Sequence, residues 1–270
     1  MKKIIEHVGP QARVRTLDVA FELGRKNHFR VAIFGSARIK PDDKVYKEVY
    51  QLAKMVGTSG FDVITGGGPG LMEAANAGHA AGDKLGKNDS IGLVIKLPWE
   101  NKGNKFLEIQ HRYKHFSTRL DTFLALSNVM VVTKGGIGSL LELFYMWQHM
   151  QVHLVNYKPI ILIGPMWEQL IKWMKKATLP DNLVSPEDFD YIYVAKNNRE
   201  AMAIIKEFHL LYKKEHSMRK IDCKGARCVI PPKKRAVQKP VLKKIPTGKK
   251  NRKIVIKIMP LQLSKKVGKK

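Results

Sequence analysis

Cysteine is almost absent from this sequence: Cys223 and Cys228, five positions apart, are the only two in 270 residues. That is too few for a disulfide framework, and a zinc site would need two more ligands where His216 is the sole nearby histidine. No apolar run approaches the roughly 18 residues of a membrane-spanning helix. At the N-terminus, Met1-Lys2-Lys3 is followed only by Ile4 and Ile5 before Glu6 and His7, too little for a secretory signal. These absences point to a cytoplasmic chain with reduced thiols, no membrane span and no metal. Acidic residues are scarce in one region. Residues 213–270 hold 21 Lys or Arg against Glu215 and Asp222, a net +19 of the chain's +26, which leaves only +7 for the preceding 212 residues.

What is present is enough apolar content, 44%, for a packed core. The length suits one α/β domain of about 200 residues with an appendage. We divide the chain into an N-terminal adaptor (1–27, with a short helix expected near Leu17 to Leu23), an α/β domain (28–212) and a basic, largely disordered tail (213–270). Within the domain, strands are expected at Arg30 to Phe34, Phe61 to Thr65, Ser90 to Pro98, Phe106 to Gln110, Val129 to Thr133, Pro159 to Gly164 and Asp190 to Val194. Helices alternate with them, the clearest carrying Val45, Val49, Leu52, Ala53 and Val56 at helical spacing. Such alternation calls for an α/β fold, a mostly parallel sheet with helices on both faces. The segment from Ser139 to about Gln151 is apolar on several sides, so a neighbouring subunit or another layer is expected to cover it.

Glycine marks where a ligand would bind. Gly135, Gly136 and Gly138 follow a β-branched run, and Ser139 is expected to open the next helix. Strand, glycine turn and helix start together make an anion cradle, because main-chain N–H groups point outward and glycine lets a phosphate approach. Glu142 is the odd member, since a carboxylate repels phosphate. Either it complements the helix dipole or closes a capping box with Ser139, or it acts on another part of the ligand. Gly66-Gly67-Gly68-Pro69-Gly70 is a second candidate cradle, with Glu73 and Asn76 on one face of the helix after it, and Gly35-Ser36-Ala37 is a third glycine turn at a strand end. Arg119 falls in the first turn of a helix, where a cation opposes the dipole, which suggests another purpose.

Two of these stretches carry a family likeness. Gly66-Gly-Gly-Pro-Gly-Leu-Met-Glu-Ala-Ala-Asn76 and, after about 60 residues, Gly135-Gly-Ile-Gly-Ser-Leu-Leu-Glu142 resemble the two signatures of the LOG (Lonely Guy) family, often mislabelled lysine decarboxylases. Gly35-Ser36-Ala37 and His115-Phe-Ser-Thr-Arg119 are similar to further family segments. The resemblance covers about residues 28–210. It implies a Rossmann-like, doubly wound fold, a homodimer or larger assembly, and hydrolysis of a nucleoside 5′-monophosphate, a cytokinin riboside monophosphate or an ordinary nucleotide, to free base and ribose 5-phosphate. It further implies that Glu142 and Arg119 are the catalytic pair, that Gly135, Gly136, Gly138 and Ser139 hold the phosphate, and that Glu73 and Asn76 line the ribose or base side. Gly35, Ser36, Gly67 and Gly68 would lie at the cleft floor. No cofactor is implied; no lysine has the setting of a pyridoxal-phosphate Schiff base.

Three positions depart from the family pattern. Leu120 stands where lysine commonly follows the arginine, Lys134 replaces proline, and Ser139 replaces threonine with its hydroxyl retained. Lys134 is therefore expected to add positive charge to the phosphate site. The tail's charge favours RNA, DNA or an anionic membrane face, without a base-reading motif. The alternative to an enzyme is a non-catalytic nucleotide-binding protein that the tail tethers to nucleic acid.

Overall fold

A computed structural model describes residues 28–97 and 102–222, together with the short strands Lys3–His7, Pro240–Leu242 and Ile256–Ile258. The helix expected near Leu17 to Leu23 and most of the tail lie outside the described residues. Eight strands form one sheet: β1 (Lys3–His7), β2 (Arg30–Phe34), β3 (Asp62–Thr65), β4 (Ser90–Ile95), β5 (Ile109–Tyr113), β6 (Val129–Val132), β7 (Ile160–Ile163) and β8 (Ile192–Ala195). Their order is β1-β5-β4-β3-β2-β6-β7-β8, and every neighbouring pair is parallel. The α/β, Rossmann-like fold class is as expected. In the tail, β9 (Pro240–Leu242) pairs antiparallel with β10 (Ile256–Ile258).

The central strands are buried along their whole length, so apolar residues follow one another rather than alternating with exposed ones. Helices cover both faces. On one side lie α1 (Lys44–Thr58), α2 (Leu71–Gly82) and α6 (Asn198–Asp222), which pack Leu52, Val56, Ala75 and Ile205 against Val31, Ile33 and Val63. On the other lie α3 (Phe116–Leu126), α4 (Ile137–Gln151) and α5 (Pro165–Thr178), where Phe123, Leu143, Met146 and Trp167 meet Phe34, Met130 and Leu162. In α2, a Cβ on Gly78 or Gly82 would overlap the Tyr50 or Lys54 carbonyl of α1, so small residues set that close approach.

Several boundaries differ from expectation. Strand β5 is Ile109–Tyr113 rather than Phe106 to Gln110, with Gln110, His111 and Tyr113 buried. The last strand starts at Ile192, because Pro186–Tyr191 forms a 3-10 helix closed by a capping box between Ser185 and Asp188. Helix α6 runs to Asp222.

Candidate active site

Strand order reverses at β2: its carboxyl end leads to α1 on one face, while adjacent β6 leads to α4 on the other. Open α/β sheets hold ligands in the crevice at such a point. Here the crevice is a cavity of about 450 Å³. Its wall comes from the loops after β2 (Gly35, Ser36, Ala37, Arg38), β3 (Gly66, Gly68) and β6 (Gly136, Ile137, Gly138, Ser139), with Val94, Ile95 and Leu97 from the end of β4 and Met72, Phe116, Arg119 and Glu142 from helices.

Main-chain bonds stitch the three glycine loops together. Ser36 N donates to the Lys134 carbonyl at 3.0 Å, and Leu71 N donates to the Ser36 carbonyl at 2.9 Å. Gly70, at φ 67°, lies so close that a Cβ would sit 2.5 Å from that same carbonyl oxygen. The start of α2 is therefore partly filled by the Gly35–Ser36 loop, unlike the open cradle expected there. The start of α4 is different. Its N-cap, Gly136, offers no side-chain cap, and a Cβ at Gly136 or Gly138 would meet nothing within 4 Å. Those residues face open cavity, where the first helical N–H groups have no intrahelical partner.

Arg119 and Glu142 both reach this cavity, from α3 and α4. The Arg119 Nη2 lies 3.8 Å from Glu142 Oε1, and the two side chains are only 8% and 12% exposed. Arg119 is held from behind: its Nε donates to the Leu93 carbonyl at 2.6 Å, and its guanidinium lies 5.3 Å from the Phe123 ring centre. Burial pushes the Glu142 carboxyl up to about 7, against the opposing pull of Arg119. Helix α4 starts at Ile137, so Ser139 is its third residue and Glu142 lies beyond the first turn. That removes the capping box and the helix dipole as reasons for Glu142.

Of the other expected site residues, Gly35, Ser36, Gly68, Gly136, Gly138 and Ser139 line the cavity, and five do not. Gly67 packs against β4, where a Cβ would stand 2.6 Å from Val94. Gly135 makes room for the Ser139 hydroxyl beneath the turn. Glu73 faces α1, where its charge, after burial, raises the Tyr46 hydroxyl pKa. Lys134 is exposed and contributes only its carbonyl to the loop bonds.

Asn76 is wholly buried in a polar network: its Oδ1 accepts from Thr65 Oγ1 at 2.7 Å and from Asn104 Nδ2 at 2.9 Å, and its Nδ2 donates to Ser90 Oγ at 2.9 Å. Asn104 Nδ2 also reaches the Gly67 and Gly68 carbonyls, at 3.2 and 3.1 Å. These two asparagines hold the glycine loop in place, a role for Asn104 that nothing in its local sequence signals. Leu120 is buried in the core, away from the cavity.

Among the described residues, His28, Asp62 and Asp89 place ligand atoms within 4.8 Å of one another. They sit at the opposite end of the strands, and Arg30 Nε lies 3.3 Å from Asp62 Oδ2, so Asp62 already has a cation.

The sequence pattern of the family described as "Possible lysine decarboxylase" matches residues 72–205. Residues 72–205 thus carry the pattern of that family, the LOG family. Solved LOG-fold structures resemble it closely enough to show a shared fold. The X-ray structure of the structural-genomics target TM1055 has 20% identity and a TM-score of 0.52, over 66% of this chain and 99% of that one. The molybdenum cofactor binding protein from the phototrophic bacterium Rippkaea orientalis has 20% identity and a TM-score of 0.50, over 67% and 96%. The molybdenum cofactor carrier protein from Chlamydomonas reinhardtii has 19% identity and a TM-score of 0.51, over 68% and 99%. No curated protein matches this sequence.

Proposed function

We propose that this protein hydrolyses the N-glycosidic bond of a nucleoside 5′-monophosphate, releasing free base and ribose 5-phosphate. The observation that carries this reading is the meeting of Arg119 and Glu142 in one cavity, beside an uncapped helix start. The volume, about 450 Å³, falls within the range usual for small-ligand sites. In this reading the 5′-phosphate accepts hydrogen bonds from the main chain at Gly138 and Ser139 and from the Ser139 hydroxyl. The ribose then lies between that cradle and Glu142.

Cleavage passes through an oxocarbenium-like state. The C1′–N bond breaks with its electron pair leaving on the base, which is protonated by solvent water, and the proton that Glu142 later takes returns to solvent to close the cycle. Water adds to C1′ and gives its own proton to Glu142. The carboxylate stabilises the developing positive charge and orients the water. A carboxyl pushed up to about 7 is a competent proton acceptor near neutral pH. Arg119, braced by Leu93 and Phe123, holds the nucleotide in register.

The test is to incubate the protein with AMP, GMP, CMP, UMP and a cytokinin riboside monophosphate and follow free base. Release that Glu142→Gln abolishes supports hydrolysis; tight nucleotide binding with no release supports a carrier instead. Exposed Ile137, Leu141 and Phe144 along α4 support the expected homodimer, which sedimentation would test. The +19 tail supports binding of nucleic acid, tested by RNA affinity with and without residues 223–270.

A further inference from the structure

We infer that Arg38 grips the ligand's phosphate and sets the preference of the site for phosphorylated over unphosphorylated sugars. This rests on the proposed nucleotide reading and names the group that would recognise its charged end.

Charge in the cavity supplies the first argument. The cations lining it are Arg38 and Arg119, and the carboxylate is Glu142. Arg119 is already engaged, by the Leu93 carbonyl through Nε, by Glu142 through Nη2 and by the Phe123 face. With Arg119 and ionised Glu142 offsetting one another, the surplus positive charge of the lining belongs to Arg38. A phosphate monoester dianion entering beside Glu142 meets repulsion from that carboxylate, and a helix start alone supplies only about half a charge. A full cation is needed on the far side of the anion from Glu142.

Position supplies the second argument. Arg38 lies early in the loop (35–43) whose Ser36 N is bonded to Lys134 O, which places this loop against the Gly135–Gly136 turn that opens α4. Arg38 N donates to Ser36 Oγ at 3.1 Å, so that hydroxyl is occupied as an acceptor and its hydrogen is left to donate. One loop thus brings a hydroxyl and a guanidinium to the wall of the same cavity that the start of α4 lines. Arg38 is exposed, so it can swing onto an arriving anion without first breaking a buried contact. Its planar fork suits two phosphate oxygens at once. The role that sequence reasoning gave to Lys134 thus passes to Arg38, because Lys134 does not line the cavity.

Ribose 5-phosphate is the chosen probe, since every nucleoside 5′-monophosphate contains it, and titration calorimetry on the full chain is the measurement. Arg38→Met is expected to weaken binding on the order of ten-fold, the scale of a charge-assisted contact at a partly solvated site. Arg38→Lys should recover part of the loss, because the charge survives but the fork does not. Lys176→Met removes the same charge from an exposed position at the end of α5 and should leave the affinity unchanged, which separates a local contact from the general field of a very basic chain.

Equal affinities for Arg38→Met and Lys176→Met would overturn the inference even if nucleotide hydrolysis were demonstrated. A specific loss in Arg38→Met with no base released from any nucleotide would uphold Arg38 and discard hydrolysis. Failure of the unaltered protein to bind ribose 5-phosphate would sink both.

Discussion

Gly66 and Arg119 compete for one space: a Cβ on Gly66 would overlap Arg119 Nη2, so the guanidinium reaches Glu142 only because residue 66 has no side chain. Gly66→Ala should therefore fold normally yet displace Arg119. Mispositioning of a binding group by about 1 Å costs roughly a hundred-fold in rate. Base release from the best nucleotide substrate should fall by about that factor, while the far-ultraviolet circular dichroism spectrum stays unchanged. Retained activity would mean that Arg119 need not occupy this position.

Glu142 links activity and stability to pH. Its folded-state pKa is raised from the usual carboxylate range to about 7 by burial. A carboxyl raised in this way contributes stability below its unfolded value, near 4.5, and loses it as pH rises through about 7. Glutamine imitates the neutral carboxyl. Glu142→Gln should match the parent in unfolding free energy at pH 4 and exceed it at pH 8, by an amount of order 3 kcal/mol. Hydrolysis by the parent should rise with pH through the same region, and the Gln variant should be inactive throughout. Calorimetric scans and a pH–rate profile check the two halves separately.

Asn104 holds the loop after β3 through the Gly67 and Gly68 carbonyls and Asn76. Asn104→Ala leaves those buried acceptors short of a donor, at a cost of about 1–3 kcal/mol. Urea denaturation should show that loss. Substrate affinity should fall as well, because the loop carries Gly66 and Gly68 in the cavity wall.

Leu120 is 3% exposed and packs with Phe123 and Leu124. Restoring the lysine common in the family should not improve catalysis. Leu120→Lys should instead destabilise the protein by roughly 3 kcal/mol, the cost of an ammonium without a partner in the core. A gain in base release would show that the helix can turn this position toward the cavity.

Much of this architecture was legible in the sequence. Apolar runs punctuated by glycine marked β2, β3, β6 and β7, and the spacing of Val49, Leu52 and Val56 marked α1, because burial acts directly on local pattern. Strand β5 was displaced in the reading because His111 and Arg112 look like surface residues, and only pairing with β4 and β1 makes them strand.

The glycine turns were legible as turns, but not which turn opens on the cavity. That depends on contacts across the chain: the Gly35–Ser36 loop fills the start of α2 and leaves the start of α4 clear. The spacing of Glu73 and Asn76 showed that they share a helix, whereas their partners, Tyr46 and the Thr65–Ser90–Asn104 network, come from other elements. Lys158 was equally invisible. Its Nζ donates to the Leu124 carbonyl and, at 2.5 Å, to that of Ser127, closing the end of α3 from more than 30 residues away.

The cavity straddles the seam where β2 meets β6, with Gly35 to Arg38 and Arg119 contributed from before the seam and Gly136 to Glu142 from after it. An occupant of that space would touch both stretches of chain at once and act as a rivet between them. Amide exchange should therefore slow on both sides together when the site fills, including in β6 and in β2 before Phe34, whose residues do not line the cavity.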